Sequence, residues 1–331
     1  MRKCLYCYQP LNKNTVSASL PRLSRGRQEQ DFHSSCVKKM FGTTIPPVID
    51  FGLTQLEELA KQIVIKRVAV TGVQPKLSLN LEKHKGTSRL TIVGLQGDYI
   101  LKPPSSQYSE LPENEDVTMH LADLVKIKTA SHSLIRLSSG ELAYLTKRFD
   151  RNTSANSVRV QKIAVEDFCQ LSENLTEHKY RGSIEKIGKL THQFTSNKGF
   201  EVQRLFELVI FSYLTGNADM HLKNFSLMEN VLGEYEFSPA YDLLSTALVI
   251  PNDKEESALT INGKRSNLKL SDFNALAASL KINEKSLQAI YNRFDKILVN
   301  WIAVIQQSFL SKKMQKNYIE LLNSKHKKLF A

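Results

Sequence analysis

Four polar side chains lie close together in the segment GNADMHLKNF, directly after the apolar run LFELVIFSYLT. They are Asp219, His221, Lys223 and Asn224. A carboxylate in such a loop can orient a hydroxyl or accept its proton. An amide oxygen a few residues later can bind a hard cation such as Mg²⁺. This segment is therefore the first candidate for chemistry.

A second carboxylate lies downstream at Asp242, and residues 225–238 before it are predicted to form a β-hairpin. The hairpin would return Asp242 to the side of Asn224, where a carboxylate and an amide oxygen together suit Mg²⁺. Asp219 would stay off the metal and orient the attacking hydroxyl, because D-x-x-x-x-N is the spacing of the protein kinase catalytic loop. The structural alternatives are a turn residue at Asp219 and a helix N-cap at Asp242.

Two stretches in the N-terminal half could bind phosphate groups. Lys102 ends the apolar segment DYILKPP, where it is either a phosphate-binding lysine or a solvated strand end. The turn in VAVTGVQPKLSL contains Thr71, Gly72, Gln74 and Lys76. Backbone N–H groups of such a loop can point at phosphates, although a turn with a single glycine is also compatible with a plain hairpin.

The elements that must position these residues fall into two groups. Short β-branched segments bounded by Gly or Pro predict strands; they are RVAVTG, KLSLNLE, SRLTIVG, DYILKPP, HSLIRLS and LAYLTKRFD. Apolar residues at helical spacing predict helices; they are found in LTQLEELAKQIVIK, PENEDVTMHLADLVKI, AVEDFCQLS, SIEKIGKLTHQF, GFEVQRLFELVIFSYLT, SDFNALAASLK and EKSLQAIYNRFDKILVNWIAVIQQSFL. The order predicts an α+β protein with a β-rich lobe followed by a helical lobe.

We expect three regions along the chain. Residues 1–50 form a small Cys/His unit that ends near Pro46 and Pro47. Residues 51–150 form the β-rich lobe, and residues 151–331 form the helical lobe with the candidate catalytic loop and the hairpin.

The small unit contains two pairs with the spacing of metal ligands, Cys4-x-x-Cys7 and His33-x-x-Cys36. Three cysteines and one histidine form a known structural zinc set. The alternative is a cluster of small buried residues with an unrelated histidine. The fourth cysteine, Cys169, is predicted to be a core residue.

Composition restricts the class of protein. The chain has 331 residues, of which 41% are hydrophobic, and it has only four cysteines, which does not indicate a disulfide scaffold. It lacks an apolar run long enough for a membrane span or a signal peptide, so we expect no membrane association and a cytoplasmic location. The net charge of +12 favours polyanionic partners or simply reflects a lysine-rich surface, with lysines concentrated in SKKMQKN and NSKHKKLF.

Taken together, these segments resemble the HipA family of bacterial toxin kinases. The matching blocks are TGVQPKLSL, YILKPP, LPENEDVTMHLA, TKRFDR, EDFCQLS, KYRGSIEKIGKL, GNADMHLKNFSL and SPAYDLLST, in order over roughly residues 68–250. The resemblance implies a two-lobed, protein-kinase-like fold. It also implies an ATP- and Mg²⁺-dependent protein serine/threonine kinase.

The resemblance further implies roles for individual residues. Asp219 would be the catalytic base, and Asn224 and Asp242 would bind Mg²⁺. The remaining residues would bind the nucleotide: Thr71, Gly72, Val73, Gln74 and Lys76 in the phosphate loop, Lys102 at the phosphates, Lys147, Arg148 and Phe149 at the adenine hinge, and His221 and Tyr241 lining the site.

It implies partners as well. The kinase would be the toxin of a toxin–antitoxin system that arrests growth by phosphorylating an essential protein, for example an aminoacyl-tRNA synthetase, and a DNA-binding antitoxin would accompany it. Full-length family toxins have an extra N-terminal subdomain of about a hundred residues before the kinase lobe, the size of an ordinary small domain. Here only about fifty residues precede the first helix. The chain is therefore similar to the short HipT type, whose missing N-terminal subdomain is a separate small protein.

Family members autophosphorylate the phosphate loop, and in AVTG only Thr71 has a hydroxyl group for this reaction.

Two other functions stay open at this point. A DNA-binding or regulatory protein without enzymatic activity would account for the charge and the Cys/His pairs. A metal-dependent phosphohydrolase would use Asp219, His221 and Asp242 as ligands, but it leaves Lys102 and the Gly72 turn without a role.

Overall fold

The computed structural model describes residues 2–11, 31–56, 58–59, 75–84, 86–94, 97–152, 161–250 and 253–330. The chain divides into two compact units. The first contains residues 1–116, 131–148 and 307–309, and the second contains residues 117–130, 149–306 and 310–331. The predicted regions 1–50, 51–150 and 151–331 stay a prediction.

The first unit contains, among its described residues, a five-stranded antiparallel sheet in the order β2-β1-β3-β5-β4. Its strands are β1 (Leu77–His84), β2 (Thr87–Ile92), β3 (Tyr99–Lys102), β4 (His132–Arg136) and β5 (Leu142–Lys147). All five coincide with predicted strands. The other predicted strand, RVAVTG, lies outside the described residues. In β1 the buried Leu77 and Leu79 alternate with more exposed neighbours, as expected for a sheet with one face in the core.

The N-terminal segment packs on the same hydrophobic core as the sheet. Helix α1 (Ser34–Phe41) buries Val37, Met40 and Phe41, and these side chains belong to one cluster with Leu79 and Leu101 of the sheet. Residues 53–56 are helical, as predicted, and residues 60–66 of that predicted helix lie outside the described part of the chain. Helix α2 (Leu111–Leu124) follows β3, and the division between the units falls within it, after Asp116.

The second unit is mainly helical. In the described residues its helices are α3 (Phe168–Leu171), α4 (Ile184–Phe194), α5 (Lys198–Thr215), α6 (Thr246–Val249), α7 (Leu270–Ser279), α8 (Glu284–Lys296), α9 (Leu298–Gln307) and α10 (Lys312–Phe330). Helix α5 is buried on nearly all sides over its last eight residues, which explains why its sequence is almost continuously apolar. None of the helices in the described part of the chain combines the length and the apolar character that a membrane crossing requires.

The predicted hairpin is confirmed. Strands β9 (Ser226–Glu229) and β10 (Tyr235–Phe237) are antiparallel, with Phe237 opposite Leu227. Strand β8 (Val165–Asp167) completes this three-stranded sheet by pairing with β9. A further two-stranded ribbon, β6 (Arg151–Asn152) and β7 (Gln161–Lys162), was not predicted.

Two sequence predictions are corrected by these elements, and one helix was missed. The helix predicted from AVEDFCQLS is wrong for Val165–Asp167. These residues form strand β8, because β9 provides hydrogen-bonding partners for them. The segment 284–310 contains two helices, α8 and α9, in place of one. Helix α10 was not predicted; it buries Met314, Tyr318 and Leu322 along one face.

Candidate active site

The candidate loop begins where α5 ends. Gly216 is the C-cap of α5 and has φ of 67°, a left-handed conformation that favours glycine. A Cβ atom at this position would lie 2.8 Å from Leu321 Cδ2 and 3.0 Å from the Cβ of Ala247. A residue with a side chain would therefore be strained at this turn out of the helix, and glycine is favoured. The turn delivers residues 217–224 to one place.

Asp219 lies at the centre of a hydrogen-bonded loop. Its Oδ1 accepts a hydrogen bond of 2.8 Å from the Tyr180 hydroxyl. Its carbonyl oxygen accepts from the backbone N–H of His221 at 2.8 Å and from Asn224 Nδ2 at 2.9 Å. Among the described residues, Asp219 Oδ2 has no hydrogen-bond partner. The loop thus fixes the carboxylate and leaves one oxygen for a substrate group.

Tyr180 remains a hydrogen-bond donor over the working pH range. Burial, followed by the hydrogen bond to Asp219 and the charge of that carboxylate, raises the pKa of Tyr180 well above its ordinary value. Its ring also packs edge-on against the His221 imidazole, with 5.1 Å between the ring centroids. Tyr180 was not among the predicted site residues. Its position in KYRGSIEKIGKL was the available signal.

Asn224 is oriented by the same loop. Because its Nδ2 donates to Asp219, its Oδ1 remains as an oxygen ligand. Asn224 is buried and ends the 3₁₀ turn Leu222–Asn224. An amide oxygen held in this way is suited to a hard cation.

The segment before Asp242 is tied back to the loop. The Tyr241 hydroxyl donates to the Lys223 carbonyl at 2.8 Å and lies 2.5 Å from Ser226 Oγ. Asp242 follows with φ of 55°, an uncommon left-handed conformation for a residue with a side chain. The N-cap of α6 is Ser245, so the alternative role of Asp242 as the helix N-cap is wrong. Strained backbone of this kind is concentrated at functional sites.

The charges of both candidate carboxylates, Asp219 and Asp242, act on His221. Burial lowers the pKa of His221, the charges of Asp219 and Asp242 oppose this shift, and Lys179 adds to it. The side chain is buried, and its Nδ1 has no hydrogen-bond partner among the described residues. A buried nitrogen without a partner is costly unless a ligand or water satisfies it. The arrangement therefore fits a bound group that offers a hydrogen bond.

Lys223 has a structural partner. Its Nζ lies 2.7 Å from Asp167 Oδ2. Asp167 is also the N-cap of α3, where its side chain accepts from the backbone N–H of Gln170. The pair holds the candidate loop against the start of α3.

The first unit contains a buried ion pair at Lys102. Lys102 Nζ lies 2.5 Å from Glu115 Oε1, and the two residues are 3% and 2% exposed. The alternative of a solvated strand-end lysine is therefore wrong. Protein kinases require a Lys–Glu pair between a strand of the sheet and a helix. Glu115 was missed at the level of sequence, although it lies in the helix that follows the lysine strand.

The other predicted nucleotide-binding residues are placed as follows. Thr71, Gly72, Val73 and Gln74 lie outside the described residues, and Lys76 is exposed directly before β1. Lys147 ends β5, and the Arg148 backbone N–H donates to the Asp98 carbonyl at 2.8 Å. In the second unit, Phe149 packs against Tyr241 with 5.7 Å between ring centroids.

The predicted Cys/His ligands meet in the first unit. One ligand atom from each of Cys4, Cys7, His33 and Cys36 lies within 4.8 Å of the others. Cys169 is 1% exposed in the second unit, as expected of a core residue.

Comparison with known proteins gives the same family and fold. Residues 68–302 match the HipA-like C-terminal domain family. The Sinorhizobium fredii kinase candidate Y4dM is 34% identical over 236 residues, which cover 66% of this chain and 55% of that protein. The serine/threonine-protein kinase toxin HipA of Shewanella oneidensis is 29% identical over 194 residues, which cover 54% of this chain and 43% of that protein. The chain spans about half the length of these two curated relatives.

Two solved structures share the fold. The Shewanella oneidensis HipA structure, solved with HipB and operator DNA, has a TM-score of 0.68 and 23% identity, and the match covers 80% of this chain and 65% of that one. The Helicobacter pylori proinflammatory kinase CtkA has a TM-score of 0.53 and 16% identity, and the match covers 72% of this chain and 90% of that one. The predicted α+β, protein-kinase-like fold is thereby confirmed.

Proposed function

The chain belongs to the HipA-like C-terminal domain family, and on that premise we propose that it is a protein serine/threonine kinase that transfers the γ-phosphate of ATP to a protein hydroxyl. The observation that carries the proposal is the Asp219 loop. Its carboxylate is held by Tyr180, and its carbonyl oxygen is held by Asn224. The spacing and the side-chain types are those of a kinase catalytic loop.

The residues present fit ATP and a divalent cation. Asn224 and Asp242 offer the amide and carboxylate oxygens that Mg²⁺ prefers, and we propose them as its ligands. The buried Nδ1 of His221 lacks a partner among the described residues and can bind the nucleotide. When bound, ATP supplies the phosphoryl group and Mg²⁺ neutralises its charge. From the resemblance, Lys102 would hold the phosphates, residues 147–149 would lie at the adenine hinge, and Tyr241 would line the nucleotide site.

Asp219 would act on the acceptor. Oδ1 is occupied by Tyr180, so Oδ2 is the oxygen that can accept the proton of an incoming serine or threonine hydroxyl. General-base assistance of this kind contributes roughly 100- to 10,000-fold to a rate. Asp219→Asn should therefore abolish most of the phosphoryl transfer and leave nucleotide affinity near the wild-type value. Asp242→Asn should weaken Mg²⁺-dependent nucleotide binding as well.

The biological role proposed for this kinase is that of a toxin. The HipA relative is named a toxin, and the solved HipA structure contains HipB and operator DNA. We propose a DNA-binding antitoxin and a separate small protein as partners, in the cytoplasm. The proposed substrate is an essential protein such as an aminoacyl-tRNA synthetase. Thr71 is the proposed autophosphorylation site, and phosphopeptide mapping after long incubation with ATP tests it.

Incubation of the full chain with ATP, Mg²⁺ and a cell lysate, followed by phosphopeptide mass spectrometry, tests the activity. Asp219→Asn is compared with Asp253→Asn, which removes the same charge from an exposed loop. We expect phosphoserine or phosphothreonine on protein with the wild type and with Asp253→Asn, and a loss of about 100-fold or more with Asp219→Asn. Transfer at the wild-type rate by Asp219→Asn would contradict the assigned base. Release of phosphate to water alone would favour a phosphohydrolase.

A further inference from the structure

Two short segments of the first unit bring three thiols and one imidazole to a common point. Cys7 Sγ lies 3.4 Å from His33 Nδ1, and Cys36 Sγ lies 3.9 Å from the same nitrogen. One ligand atom from each of these residues and from Cys4 lies within 4.8 Å of the others. All the cysteines are free thiols. The four groups thus face one another without forming a covalent link.

These separations are close to those of a tetrahedral zinc site. With Zn–S of about 2.3 Å and Zn–N of about 2.0–2.1 Å, the edges of the tetrahedron are about 3.6 Å for sulfur to nitrogen and about 3.8 Å for sulfur to sulfur. The measured Sγ to Nδ1 distances of 3.4 and 3.9 Å bracket the first value. Because all four ligand atoms lie within 4.8 Å of one another, the two that are farthest apart would have to approach by about 1 Å to reach these edge lengths.

The tautomer of His33 is fixed by its second nitrogen. Nε2 lies 3.1 Å from the carbonyl oxygen of Pro10, which can only accept a hydrogen bond, so Nε2 carries the proton. In the neutral imidazole Nδ1 is then unprotonated, and it points at the sulfur atoms. A ring nitrogen that donates to a carbonyl while the other faces a ligand set is the usual arrangement of a metal-bound histidine.

The local backbone also has the form of two metal-binding turns. The Tyr8 backbone N–H donates to the Cys4 carbonyl at 3.0 Å, which closes the first turn. His33 is the N-cap of α1, and Cys36 lies in its first turn. Cysteines that serve only as core residues need to be buried and nothing more. It does not require that three sulfur atoms and an unprotonated nitrogen converge.

We propose that Cys4, Cys7, His33 and Cys36 bind one structural Zn²⁺, and that this centre holds Tyr8 in position to support the Lys102–Glu115 pair. Tyr8 directly follows the ligand Cys7 and has φ of 62°, a left-handed conformation that is uncommon for an aromatic residue. The constraint of the metal centre accounts for this conformation.

The strained turn places the Tyr8 hydroxyl against helix α2. It donates a hydrogen bond of 2.6 Å to Asp116 Oδ2, while Asp116 Oδ1 lies 2.8 Å from His132 Nδ1. Tyr8, Asp116 and His132 are all buried. Asp116 is the neighbour of Glu115 in the chain, so the position of Tyr8 is transmitted to Glu115 and from there to Lys102.

Metal analysis of the full chain, purified without chelators, tests the zinc site without reference to kinase activity. We expect about one equivalent of zinc per chain, and a loss of zinc in Cys36→Ser but not in Cys169→Ser, which alters the cysteine of the second unit. Folded, protease-resistant wild-type protein without zinc overturns the proposal.

A second measurement covers the case in which Cys36→Ser fails to fold. Wild-type protein loaded with Co²⁺ in place of zinc should show the intense absorption of a tetrahedral, thiolate-bound cobalt ion. A zinc-selective chelator should lower its melting temperature, since binding free energy at such a site is folding free energy. The weak absorption of octahedral cobalt, or a melting temperature that the chelator does not change, counts against the site.

The supporting role of Tyr8 rests on the proposed kinase function and has its own test. Tyr8→Phe removes the hydroxyl that bonds to Asp116 and keeps the ligands. Tyr99→Phe is the matched control, because it removes a buried hydroxyl bonded to the Met40 carbonyl in the same unit. We expect full zinc content in both and a KM for ATP raised about tenfold only in Tyr8→Phe, which corresponds to about 1.4 kcal/mol. If Tyr8→Phe and Tyr99→Phe are both active and have the same KM for ATP, the coupling between Tyr8 and the Lys102–Glu115 pair is overturned. The zinc result is not affected by this outcome.

Discussion

Removal of Glu115 should destabilise the first unit strongly, because it removes the carboxylate that lies next to the buried ammonium group of Lys102. The two residues are 2% and 3% exposed, and their charged atoms are 2.5 Å apart. Deletion of one partner of a buried ion pair costs about 3–5 kcal/mol of unfolding free energy. At about 2–4 °C per kcal/mol for domains of this size, Glu115→Ala should lower the melting temperature by roughly 6–20 °C.

A double variant separates the structural role of the pair from its function. Lys102→Met with Glu115→Leu replaces both charges by apolar side chains of similar size, and such replacements are often neutral or stabilising. We expect this variant to unfold near the wild-type temperature while its affinity for ATP is lost. Glu82→Ala, at an exposed position of the same sheet, is the control and should change stability by less than about 0.5 kcal/mol.

Thermal unfolding and nucleotide-binding titration of the wild type and the three variants form the assay. A Glu115→Ala protein that melts at the wild-type temperature would refute the energetic argument. A double variant that binds ATP with wild-type affinity would show that the pair serves the fold alone.

Three further outcomes can be measured independently. Tyr180→Phe removes the donor to Asp219 Oδ1 and should lower kcat for phosphoryl transfer by about tenfold with a cost in stability of about 1 kcal/mol; unchanged kcat would argue against this positioning role. Burial raises the pKa of Glu113 from 4.5 to about 7, so its folded form binds the proton more tightly and stability should fall as pH rises from about 4.5 to about 7. Glu113→Gln should remove this dependence in unfolding titrations, and identical pH profiles would contradict it. Gly188→Ala would place a Cβ 2.0 Å from Leu280 Cδ2 and should cost about 1–3 kcal/mol by denaturant unfolding, unless Leu280 finds another rotamer.

Some features of the fold could be predicted because their signals are local. The short segment KLSLNLE was correctly predicted to be a strand, β1, and the helical spacing in the apolar run before Gly216 correctly predicted α5. The hairpin after Asn224 was predicted around a turn at Val231–Gly233, and its two strands pair as expected. In these cases the backbone preference and the hydrophobic pattern agree with the tertiary structure.

Other features depend on partners that are distant in the chain. Val165–Asp167 is a strand because β9 pairs with it, which the helical spacing of AVEDFCQLS cannot indicate. Helix α10 looks like a lysine-rich surface segment in sequence, but it buries Tyr318 and Leu322. Local propensity is a weak signal that tertiary contacts override.

The sequence alone indicated Asp219, Asn224 and Asp242 as a candidate group, since their types and spacing fit phosphoryl transfer, and their roles stay a prediction. It also identified both Cys/His pairs. Only the tertiary structure brought those pairs together, buried Lys102 against Glu115, and placed Tyr180 on Asp219. The reason is physical: the direction of a side chain and the polarity of its surroundings are set by packing between distant segments, as between Tyr8 and Asp116, 108 residues apart.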